Sequence, residues 1–202
     1  MPLQSADPAV SRAKFDREVN EFRQLGTTYR ARGWFLTDAE FPNALVVLCT
    51  QKMTPASIVM GVEFDYTNYD VEPPSVVMVN PFTRVPYKLS ELPSPLNRAT
   101  ITHDVELPGL PAGSKVALQA PPQPYMQAHA PNDIPFLCIA GVREYHDHPA
   151  HNGDLWELHR PTGAGRMVRL LEIIHRYGVE PISGFGVSLV PQVRLNFGPP
   201  PG

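Results

Sequence analysis

Proline decides most of what this chain can become. It supplies 24 of the 202 residues. Pro81, Pro86, Pro93, Pro95, Pro108, Pro111, Pro121, Pro122, Pro124, Pro131 and Pro135 punctuate the middle of the chain. Each lacks a backbone N–H and fixes φ, so no long helix and no central strand can cross this stretch. Regular structure must gather on either side of it. Short extended pieces such as ITHDVEL and KVALQ fit between the turns. An irregular stretch of this length inside a compact domain is uncommon, and such loops are often functional.

Ahead of the proline region the patterns are regular. Asp7 before Pro8 reads as an N-cap with proline at the first helical position. Phe15, Val19, Phe22 and Leu25 then share one helical face, and Gly26 reads as the stop. The opposite face mixes Arg12, Lys14, Arg17 and Arg23 with Asp16, Glu18 and Glu21, as a solvated face does. Strand-like runs follow at 34–36, 44–50, 57–66 and 75–80, linked closely enough for an antiparallel meander. Cys49, inside the VVLC run, reads as a small buried hydrophobe. Behind the proline region, PFLCIAGV ends in dense polar sequence, and Met167, Leu170, Leu171, Ile174 and Tyr177 mark a second amphipathic helix ending at Gly178. The predicted fold class is α+β: an N-terminal helix, a four-stranded antiparallel meander, a long Pro-rich insertion and a C-terminal helix. One domain spans 1–178, with the insertion at about 85–128 and a tail at 179–202.

Composition narrows the function. A hydrophobic fraction of 43% suits a globular core. A net charge of −3 argues against a nucleic-acid binder, which needs clustered Lys and Arg. No apolar run reaches the roughly 18 residues of a membrane span. The first residues, MPLQSADPAV, lack the basic and apolar regions of a secretory signal. Cys49 and Cys138 do not make a disulfide framework. A cytoplasmic protein with free thiols is expected.

Chemistry concentrates between Asn132 and His151. Cys138 follows an apolar segment at the edge of polar sequence. A half-exposed thiol there is a strong nucleophile, while a buried one is inert; both readings are open. Asn132, just upstream, carries an amide able to donate to an oxyanion. The run REYHDHPAHNGD adds Glu144, His146, His148 and His151, with the first two histidines alternating as on an extended segment. Three roles suit this set: proton transfer, a tetrahedral zinc site of Cys138, Glu144, His146 and His148, and a structural one. Dinucleotide, phosphate-loop and zincin-helix motifs are absent.

The order of these pieces resembles the ubiquitin-conjugating-enzyme fold. FDYTNYDVEPPSVVMVN is similar to that family's aromatic and Pro-Pro signature through Tyr69, Pro73 and Pro74. HAPN at 129–132 resembles its His-Pro-Asn motif with one residue inserted, which matches Asn132 to the oxyanion asparagine. FLCIAG resembles the segment around its nucleophile, which falls at Cys138, and Trp156 with the following helix resembles the downstream portion. A closer resemblance is to small bacterial proteins encoded beside ubiquitin-like modifiers and described as predicted metal-binding for a Cys, Glu, His, His set, carried here by Cys138 and the EYHDHPAH run. The resemblance implies a bacterial conjugating-type transferase, in some systems antiphage. Cys138 would accept a ubiquitin-like modifier as a thioester from an adenylating activating enzyme and pass it to a target protein. Asn132, Glu144, His146 and His148 would assist, with no cofactor. The alternatives are a zinc-binding adaptor on Cys138, Glu144, His146 and His148, and a non-catalytic docking protein of the same operon.

Overall fold

The computed structural model describes residues 5–98, 102–106, 115–119, 121 and 123–184. Helix α1 (Pro8–Gln24) begins as its sequence dictates, with the Asp7 carboxylate accepting from the Ala9 amide at 2.9 Å. Phe15, Val19 and Phe22 turn inward and are buried. Gly26 does not stop the helix in a left-handed conformation; it opens a second short helix, α2 (Gly26–Ala31). The reversal falls instead at Gly33, with φ +84°, where an added Cβ would stand 2.3 Å from the Cys49 carbonyl oxygen. Only glycine lets the two backbones approach that closely.

Strands β1 (Trp34–Glu40), β2 (Asn43–Thr50), β3 (Ser57–Asp65) and β4 (Ser75–Val79) form one antiparallel sheet in the order β1-β2-β3-β4. This is the expected meander, flanked by helices from both ends of the chain. One face carries Ala44, Val46, Leu48, Met60, Val62 and Phe64, all without solvent exposure, against α1 and α5 (Met167–Ile174). Truncating one such large side chain costs about 2–5 kcal/mol through lost burial and the cavity left behind. Cys49 is buried, as expected of it.

Within the proline region, ITHDVEL and KVALQ yield β5 (Thr102–Glu106) and β6 (Lys115–Gln119), an antiparallel pair. Strands β7 (Met126–Gln127) and β8 (Phe136–Leu137) pair next to the candidate site. Helices α3 (Arg143–Asp147) and α4 (Trp156–His159) follow. The tail beyond 184 lies outside the described residues. No helix among the described residues is long and apolar enough to cross a membrane.

Glu18 departs from expectation. It sits on the charged face of α1 yet is 1% exposed. Its carboxylate accepts from the Met167 amide at 3.1 Å, supplying from α1 the N-terminal acceptor that α5 lacks, because Arg166 caps nothing with its own side chain. Orphan amides at a helix start favour such an anionic partner.

Candidate functional site

The two prolines after the aromatic loop fix the site's floor. Pro73 and Pro74 are buried, and the Pro74 carbonyl accepts from the Arg143 amide at 2.9 Å, which sets the start of α3. The Arg143 guanidinium reaches back to the Thr67 carbonyl at 2.6 Å and lies 3.4 Å from Asp65, which ties α3 to the aromatic loop. The Trp156 indole donates to the Asp70 carbonyl at 2.9 Å and ties α4 to the same loop.

Cys138 lies just past β8. Its amide donates to the Tyr125 carbonyl at 2.7 Å, and Arg98, stacked on the Tyr125 ring at 4.5 Å, lies 3.4 Å from the Cys138 carbonyl. Cys138 is 5% exposed, and burial pushes its thiol above its ordinary range, with Arg98 pulling the other way. A thiol kept neutral and covered lacks the access and the thiolate population that acyl transfer needs. The expected half-exposed nucleophile is therefore corrected. The thioester-forming transferase reading falls with it, since Cys49 is also buried and also pushed up by burial.

The supporting residues do not converge on that sulfur. Asn132 occupies the exposed turn at 130–133 and takes no part in the hydrogen bonds around Cys138. Glu144 points away to β4, where it accepts from the Ser75 hydroxyl and lies 3.4 Å from the Val76 amide. Burial holds its carboxyl above the usual range, with these partners opposing. His146 is held between two carbonyls, Asp154 at 2.9 Å and Ala140 at 2.9 Å. His148 accepts from the Ala150 amide at 3.2 Å and stacks on Phe136 at 4.9 Å. Among the described residues, no three His, Cys, Asp or Glu side chains are placed to hold a metal ion. The Cys138, Glu144, His146, His148 zinc set is corrected on that geometry.

His151, in none of the expected catalytic or ligand sets, is the imidazole beside the thiol, with Nε2 3.6 Å from Sγ. Tyr145 lies flat on its ring at 3.8 Å and donates to Asp154 at 2.7 Å. Asp154 also meets His159 at 2.6 Å. The tyrosine hydroxyl is pushed up to about 12, first by that hydrogen bond, while Asp154 is drawn below its usual range by Tyr145 and then His159. The assembly is a lid of stacked and hydrogen-bonded rings over a buried sulfur. It shields the sulfur from solvent and from an incoming acyl donor.

Residues 6–182 match the Y4jH-like family, described as the Y4jH family. A protein of Sinorhizobium fredii, described as "Uncharacterized protein y4jH", is 44% identical over 202 residues, covering 96% of this chain and 93% of the relative. On both the family match and this relative, the chain belongs to the Y4jH family.

Proposed function

We propose that the chain is a non-catalytic docking protein on a ubiquitin-conjugating-enzyme-like frame, holding a ubiquitin-like modifier without a covalent bond. The burial of Cys138 beneath His151 and Tyr145 carries the non-catalytic half of this reading. The frame is supported by the order of elements: α1, the four-stranded meander, the buried Pro73–Pro74 corner, the Cys138 segment, and Trp156 ahead of α5. The modifier, its adenylating activating enzyme and a target protein are the partners that this resemblance implies. The test mixes the purified chain with a ubiquitin-like protein of the same genome, then adds an adenylating activating enzyme and ATP. The reading expects a complex on size exclusion that Cys138→Ala retains, and no reducible adduct on a non-reducing gel. A thiol-sensitive adduct, or no complex with either protein, overturns it.

A further inference from the structure

The two edges of the main sheet are treated differently. Along β4 the outer edge is closed: Val79 bridges Pro86, the Tyr87 amide donates to the Met78 carbonyl at 3.0 Å, and Glu144 covers the Val76 amide. Along β1, among the described residues, no backbone hydrogen bond is made outside the ladder with β2. An open row of amides and carbonyls is a template for another strand unless something blunts it. Here it lines a groove instead of facing bulk water. At the Trp34 end its wall is the end of α1 with α2, where Phe22 packs on Tyr29 and Tyr29 on Trp34 at 4.7 and 5.2 Å; just past the other end of β1, Phe15 of α1 meets Phe41 at 5.7 Å. Between this wall and the strand lies a cavity of about 260 Å³, lined by Phe22 and Arg23 of α1, Gly26 and Arg30 of α2, and β1 from Trp34 to Ala39.

Those two arginines set the occupant's charge. Of the basic residues on α1, Lys14 pairs with Asp70, Arg17 with Glu18, and Arg12 covers the Phe41 ring. Arg23 and Arg30 make no ion pair or side-chain hydrogen bond among the described residues. Phe35, 37% exposed, offers apolar contact beside them. Because β1 starts at Trp34, a strand added antiparallel brings its C-terminal half to the arginine end. The bulge between Leu36 and Asp38 breaks the straight run, so the edge takes a short strand only. A second copy of this chain would bring its own α1 wall against this one.

We infer that the β1 edge groove binds an extended acidic segment of a partner protein by strand addition, with carboxylates on Arg23 and Arg30 and an apolar side chain on Phe35. Main-chain pairing supplies affinity in this mode and side-chain pockets supply choice. The inference rests on the docking reading above and names its surface.

The test titrates the full chain into fluorescein-labelled peptides alternating valine with glutamate or valine with lysine, and follows amide exchange. The expected result is saturable binding of the glutamate peptide with protection of amides in 34–36. Arg23→Glu with Arg30→Glu should weaken it by about tenfold and transfer binding to the lysine peptide. No glutamate-peptide binding by the folded wild type, unchanged binding in the double variant, protection elsewhere, or a self-associated dimer using β1 each overturns the inference. If the modifier complex survives while the acidic peptide fails, only the edge assignment falls. If both fail, the docking reading falls too.

Discussion

His151 Nε2 stands 3.6 Å from Cys138 Sγ, yet the pair is not an activated nucleophile. Imidazole activates a thiol when the site is open and the thiolate is favoured. Here burial favours the neutral thiol. Both thiols should therefore resist iodoacetamide in the native state and react once denatured, as followed by mass spectrometry. Cys138→Ala should lower stability by only about 1 kcal/mol, since it removes one small buried group. Rapid native labelling at Cys138 would contradict the burial.

Glu18 gives a stability prediction. Glu18→Ala leaves the Met167 amide buried without its acceptor and should cost about 1–3 kcal/mol. Glu18→Gln keeps an acceptor and should recover part of that. Urea unfolding of the two variants beside the wild type measures the difference, and equal midpoints would remove the cap from the account.

A pH dependence follows from His175. Its ring packs edge-on to Trp34 at 5.3 Å and is held below its usual range, 6.5, first by burial and then by Arg32; Glu180 and Glu172 pull the other way. The unfolded chain therefore binds this proton more readily than the folded one. Stability from this residue is complete above the ordinary histidine value and declines as pH falls toward the lowered one. Thermal melts from about pH 7 to about pH 5 should show a smaller loss for His175→Gln than for the wild type.

Asp154 is the hub of the ring lid. Asp154→Ala removes the acceptor of Tyr145 and of His159. Tyr145 should then ionise nearer its ordinary value, 10.0, which NMR of ring-labelled tyrosine reads directly. Amide exchange should rise across 143–159 and stay unchanged in the meander. A Tyr145 titration unmoved by the substitution would show that the lid holds by stacking alone.

What the sequence discloses depends on how far away each residue's partner lies. The Asp7–Pro8 start, the Phe15, Val19 and Phe22 face of α1 and the meander follow from local spacing and turn chemistry and are present as read, whereas Leu25, read onto the same face, caps the helix end and is exposed. The charged face of α1 hides Glu18, because its partner is a backbone amide on a distant helix. The alternation of His146 and His148 suggests an extended segment, but 143–147 coils into α3 and sends the two rings to different neighbours. The 3-10 turn Pro149–His151 that follows carries His151 to the sulfur. Arg98 and Asp154 carry no comparable local signal.

The Glu18–Met167 bond joins residues 149 apart in sequence. Closing a loop of that size costs conformational entropy before any contact is gained, and such long-range closures slow folding. During synthesis, α1 emerges with a carboxylate destined for burial and no helix yet to receive it. The Glu18 carboxylate is matched only when α5 is in place, so α1 and α5 close this part of the fold together.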